Sequence, residues 1–182
     1  MMNPMPTKTR TTKRSTAAAT KSTAEVARSY FEAVGARDLD AMESHYEPGS
    51  VGRIHGLVEL RVGGNYRKWF GNLFRAFPDW NFEVLDIVAE GEKAAVRWRA
   101  RGTFNGDAKF QGMDPNGASV DVEGCDLVTI RDGKLVDNQA YSSGTEIARQ
   151  LGALPPDGSA PERAMTAALN MKTRATKALK RG

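Results

Sequence analysis

The hydrophobic period of this chain changes once, at Pro78-Asp79, and that change fixes its broad architecture. Before it, apolar side chains recur every three or four residues, the repeat of a helix with one buried face. Thr23-Ala24-Glu25 opens such a pattern, with Val26, Tyr30, Phe31 and Val34 on one side and Gly35 near its end. Asp38 or Asp40 caps a second, short helix through Met42 and Tyr46, which Pro48-Gly49 stops. A third fits residues 65–76, with Tyr66, Trp69, Phe70, Leu73 and Phe74 on its buried side. After Pro78-Asp79 the repeat is two, that of a strand. Trp80, Phe82, Val84 and Asp86 alternate along the first strand, and residues 94–104 set Val96, Trp98 and Ala100 against Arg97, Arg99 and Arg101. The arginines read as the solvated outer face of an antiparallel sheet. Residues 119–131 and 134–142 pair as a hairpin about Asp132-Gly133, and residues 146–151 close the domain as a short helix. Three helices followed by a meander of strands define an α+β fold. A strongly curved mixed or antiparallel sheet is wrapped by the three N-terminal helices into a cone, whose interior suits a small ligand.

The net charge of +4 belongs to the ends of the chain. Residues 1–24 hold five basic residues and no acid; residues 159–182 hold six and one acid, Glu162. Between them, residues 25–158 carry fifteen basic against twenty-one acidic residues, a net of −6. An acidic domain is a poor nucleic-acid binder, so any polyanion contact falls to the tails and is weak. Residues 1–22 lack side chains able to build a core and read as a disordered basic arm. Residues 23–154 form the domain. Residues 155–182, after the break Pro155-Pro156-Asp157-Gly158, form a basic extension with helical composition and a thin stripe of Met165 and Leu169, suited to docking on the domain or on a second copy.

No apolar run approaches the roughly 18–20 residues of a membrane span. A single cysteine, Cys125, excludes an internal disulfide and fits a cytoplasmic chain, and with only His45 and His55 beside it a zinc site is not expected. No phosphate loop or dinucleotide fingerprint is present, so no cofactor is expected.

One residue breaks the pattern of the sheet. At period two, Val120, Val122, Gly124, Asp126, Val128 and Ile130 share a face, apolar except for Asp126. A carboxyl among valines must be paired or stay protonated, because desolvation penalises its charged form. It is either satisfied by a neighbouring core hydroxyl or amide, or available as a neutral acid that donates to an oxyanion. Tyr30, on the apolar face of the first helix, is a candidate partner for it. Cys125 faces the other way and reads as packing.

Tyr30-Phe31-Glu32-Ala33, Asp38-Leu39-Asp40-Ala41, Ala76-Phe77-Pro78-Asp79, Gly102-Thr103, Asp132-Gly133-Lys134-Leu135-Val136 and Gln150-Leu151-Gly152, in this order and spacing, resemble the SnoaL-like polyketide cyclase family. That family lies in the nuclear-transport-factor-like superfamily with ketosteroid isomerase. The resemblance covers about residues 24–154 and implies the cone-shaped fold, often dimeric, here through the outer sheet face. Ketosteroid isomerase is similar at further points, which imply an oxyanion hole at Tyr30 and Asp126 and, through Gln139-Ala140-Tyr141, a pocket wall that includes Asn138, Ala140 and Ser142. The isomerase's general base has Arg53 or Gly52 as its counterpart here, and arginine stays protonated. The base is then His55, Asp86, His45 or a group of the substrate, with His55 preferred. Arg53, Trp69, Phe82 and Trp98 complete the expected substrate-binding set. Three functions follow. One is enolisation, cyclisation or isomerisation of a hydrophobic carbonyl compound. The others are non-catalytic binding of a ligand or protein partner, and loose polyanion binding by the tails.

Overall fold

The computed structural model describes residues 21–180. The reading of residues 1–22 as a disordered arm therefore lies, for residues 1–20, outside the described residues. In chain order the elements are α1 (Thr23–Ala36), α2 (Leu39–Ser44), β1 (Tyr46–Ile54), β2 (Val58–Arg61), α3 (Tyr66–Ala76), β3 (Asn81–Glu90), β4 (Lys93–Thr103), β5 (Ser119–Arg131), β6 (Lys134–Ser142), α4 (Gly144–Gln150) and α5 (Ala160–Leu179). Six strands form one curved, open sheet in the order β2-β1-β6-β5-β4-β3. All neighbours are antiparallel except β1 and β6, which run parallel, so the sheet is mixed.

Local chemistry sets the helix ends. Ser22 caps α1 through a reciprocal pair with Glu25, and Asp38 caps α2 by accepting from the N–H groups of Asp40 and Ala41. Helix α1 buries Val26, Ala27, Tyr30, Phe31, Ala33 and Val34 against the inner face of the sheet. A second cluster, built on Phe77, Phe104, Phe110 and Leu151, fills the end of the cone beneath the loop 104–118. The Arg131-Asp132-Gly133-Lys134 turn joins β5 to β6 with Asp132 and Gly133 both at positive φ.

Three details differ from the sequence reading. The expected helix through Tyr46 stops at Ser44, and Tyr46 instead begins β1, which runs straight through Pro48-Gly49. The hairpin β1–β2 lies between the second and third helices, so the chain is not three helices followed by strands. A proline is compatible with a strand where the ladder is interrupted, and the pairing of β1 with β6 shifts register between Tyr46 and Val51. Finally, the β3–β4 register shifts between Val84 and Asp86. One extra residue reverses the alternation, so Phe82, Val84 and Ile87 are part-buried while Asp86 is exposed. Beyond the sheet, α5 extends as an exposed basic helix, with Met165 50% and Leu169 63% exposed. Its first turn is tied to the domain by Arg149, which pairs with Glu162 at 2.5 Å and Asp157 at 3.4 Å.

Candidate functional site: a buried carboxyl beside a chain of phenols

The inner face of the sheet and helices α1 and α3 enclose a cavity of about 130 Å³. Its wall is apolar except for a short series of polar groups, and Asp126 is its only carboxyl among the described residues. The volume is below the usual range for drug-sized ligands and close to that of a cavity that admits one benzene ring.

Antiparallel register explains how Asp126 is held. On β5 it lies opposite Val96 of β4 and Ala140 of β6. Its diagonal neighbours on the same face are Trp98, opposite Gly124, and Asn138, opposite Val128. The Trp98 indole N–H donates to Asp126 Oδ1 at 2.7 Å. Burial pushes the Asp126 carboxyl up to about 6, partly offset by the Trp98 hydrogen bond and the nearby Asn138 amide. Asn138 Nδ2 itself makes its hydrogen bond to Tyr46 Oη, at 3.2 Å.

That bond begins a buried polar chain. Tyr46 Oη donates to Tyr30 Oη at 3.2 Å, and Tyr30 and Tyr66 share a hydrogen bond at 3.0 Å. The three tyrosines come from β1, α1 and α3 and meet edge to face, with Tyr30–Tyr46 and Tyr46–Tyr66 ring centroids 5.2 and 5.5 Å apart. Burial holds all three hydroxyls well above the ordinary phenol range, so they are neutral donors at any physiological pH. The other amide atom of Asn138, Oδ1, and Trp80 Nε1 on a further residue of the wall are buried without a hydrogen-bond partner, a state that costs free energy.

The residues singled out from sequence separate into two groups. Tyr30, Asp126, Arg53, Trp69, Phe82, Trp98, Asn138, Ala140 and Ser142 all line the cavity. Tyr30 does not pair with Asp126: its hydroxyl bonds Tyr46 and Tyr66, and Asp126 bonds Trp98. Arg53 sits at the rim, paired with Glu59 at 3.0 Å and Asp137 at 3.6 Å. The three candidate bases lie elsewhere. His55 is exposed, stacked on Tyr141 at 4.3 Å, with Nε2 2.7 Å from Gln139 Oε1. Both ring nitrogens of His45 are engaged, Nδ1 with Ala41 O at 2.6 Å and Nε2 with Ser29 Oγ at 2.9 Å. Asp86 accepts from the Ile87 N–H on the outer surface. Sequence reasoning placed Tyr46 on a helix and saw Tyr66 only as packing, so it missed both as members of the polar chain. The available signal was tyrosine, rather than phenylalanine, at apolar-face positions.

The comparisons with known proteins agree with this fold. Residues 27–138 match the SnoaL-like domain family, and the chain belongs to it. No match was found among curated proteins. Among solved structures, AclR from Streptomyces galilaeus, a candidate hydroxylase, is 24% identical with a TM-score of 0.63, over 84% of this chain and 94% of AclR. A candidate SnoaL-like polyketide cyclase from Jannaschia sp. CCS1 is 24% identical with a TM-score of 0.64, over 73% and 93%. A protein of ketosteroid isomerase-like fold from Catenulispora acidiphila is 14% identical with a TM-score of 0.60, over 74% and 97%. At these identities the likeness extends to the fold.

Proposed function

We propose that the cavity binds a compact hydrophobic carbonyl compound and stabilises the oxyanion of its enol form, with Asp126 and Tyr30 as the donor groups. The observation that carries this reading is a buried carboxyl, raised by burial to about 6, beside a chain of neutral phenols in an apolar cavity. Donors fixed in a water-poor site stabilise developing negative charge more strongly than water does. The chemistry is then enolisation, cyclisation or isomerisation, without a cofactor, of a polyketide-like compound. The candidate cyclase among the similar structures supports that substrate class.

None of His55, His45 and Asp86 lines the cavity, and Arg53 stays protonated. With Asp126 engaged as the donor, proton abstraction therefore falls to a group of the substrate. The same absence of a second acid–base group along the described wall favours the other reading, binding of a ligand without turnover. A phenol, a one-ring aromatic alcohol that mimics an enol and suits the cavity's volume, tests the site by titration of the tryptophan fluorescence. Saturable binding that weakens about tenfold in folded Asp126→Asn and Tyr30→Phe is expected. Binding indifferent to both changes would remove the oxyanion site from the account.

The reading extends to a cytoplasmic homodimer joined through the outer sheet face, where Leu127 and Tyr141 are about half exposed (49% and 46%). The division into a basic arm over residues 1–22, a domain over 23–154 and a basic extension over 155–182 belongs to it as well, with weak polyanion contact assigned to the two ends. Light scattering with and without residues 160–182 separates dimerisation through the sheet from any contribution of α5.

A further inference from the structure

We propose that Trp98 is the positioning residue of the acid: its indole N–H, held over Gly124, keeps Asp126 Oδ1 an acceptor and so fixes the acid proton on Oδ2. The proposal rests on the oxyanion reading for its use, but its geometry stands apart from any ligand. The strongest hydrogen bond that the Asp126 carboxyl receives comes from Trp98 Nε1, at 2.7 Å on Oδ1, with the Asn138 amide as a weaker neighbouring donor. An indole nitrogen only donates. When Asp126 is neutral, a proton on Oδ1 would make that oxygen a poorer acceptor for the Trp98 N–H, so the bond favours the proton on Oδ2. The acid thereby becomes a directed donor rather than one free to carry its proton on either oxygen.

Gly124 is what brings the indole there. A Cβ at position 124 would lie 2.3 Å from Trp98 Cζ2, 2.5 Å from Cη2 and 2.6 Å from the Tyr141 carbonyl oxygen. The indole of Trp98 thus occupies the space that any other residue at 124 would fill. Because Gly124 precedes Asp126 by two on the same face, the ring crosses the glycine and reaches the carboxyl diagonally. This gives the one glycine on the inner face of β5 a role in the site.

The groups facing Asp126 permit a clean titration. They are Trp98 from β4, Tyr30 from α1, Tyr46 from β1, Tyr66 from α3 and Asn138 from β6, and none carries a charge near neutral pH. The one cation on the cavity wall among the described residues, Arg53 of β1, is at the rim, paired with Glu59 and Asp137, and stays charged throughout. Burial and the two amide and indole neighbours account for the carboxyl's position near 6.

The test follows the three indole N–H resonances of the full chain by nitrogen–proton NMR across pH, with Trp98 assigned from Trp98→Phe. The Trp98 resonance should move with a midpoint near 6 and stop moving in Asp126→Asn. In Trp98→Phe, and in a chain carrying the benzothiophene isostere of tryptophan at position 98, the Asp126 carboxyl midpoint should rise by about one unit or more. The isostere keeps the ring's shape and deletes the N–H, so it separates loss of the donor from loss of packing. A Trp98 resonance that stays flat while Asp126 titrates would overturn the proposal, as would an Asp126 midpoint unmoved by the isostere. Coupled titration in a protein that binds no phenol would leave Trp98 as the residue that orients Asp126 and would remove the oxyanion reading instead.

Discussion

Asp121 and Asp126 stand five residues apart on the same strand, and their carboxyls have opposite fates. Asp121 is on the outer face, side chain 46% exposed, gripped through both oxygens by Arg99 at 2.6 and 2.5 Å. That hydrogen-bonded guanidinium lowers its carboxyl below the usual range. Asp126, on the inner face, meets an indole and an amide but no cation, and burial raises it to about 6. The outer face repeats the first arrangement with Arg97–Glu123 at 3.5 Å and Arg101–Glu83 at 3.1 Å. The lesson is that charge is cheap where water shares the work, and that the inner face accepts only groups able to be neutral. A strand with such an inner face can take up and hold a proton near pH 6; its outer face cannot.

This contrast is open to direct attack. The largest effect should come from placing a second acid inside. Val122→Asp adds an unpaired carboxyl to the buried face and should cost about 3–5 kcal/mol in urea unfolding at neutral pH. A tolerated Val122→Asp would mean the inner face is wetter than the geometry implies. Next is Asp126→Asn. In the folded chain Asp126 holds its proton more tightly than in the unfolded one. Its stabilising contribution is therefore full below about pH 4 and is lost as the pH rises through about 6. That loss is on the order of 3 kcal/mol. Wild type should weaken relative to Asp126→Asn between those limits, and parallel stability–pH curves would contradict the raised carboxyl. Smaller again is Tyr30→Phe, which leaves the Tyr46 hydroxyl without its acceptor and should cost about 1–2 kcal/mol. A neutral result would mean that the phenol chain is dispensable to the fold. Smallest is Arg99→Ala on the exposed face, which should leave the urea midpoint nearly unmoved.

The inner and outer faces of β4 and β5 were legible in sequence because alternation there is unbroken. Val96, Trp98 and Ala100 are buried, and each of the three intervening arginines pairs with a carboxylate. The helical faces of α1 and α3 were equally plain. What escaped the sequence depends on partners distant along the chain. Strand β1 pairs with β6 some ninety positions later, and parallel register across that distance leaves no local pattern. The bulge at Val84–Asp86 is a single extra residue that turns an apparently inward acid outward. Tyr46 and Tyr66 could be read as core residues, but that their hydroxyls meet Tyr30 is a fact of three elements packing together. The same holds for Trp98: its burial was expected, but its bond to Asp126 requires Gly124 beneath the ring.

The central claim is that an oxyanion in the cavity is met by the neutral form of Asp126. Calorimetric titration of an electron-poor phenolate at about pH 7, repeated in buffers of different ionisation enthalpy, measures proton exchange on binding. With the carboxyl near 6, roughly nine-tenths of Asp126 is ionised beforehand. The account therefore predicts uptake of about one proton per phenolate bound by wild type, and none by Asp126→Asn. Binding to wild type without proton uptake would contradict it.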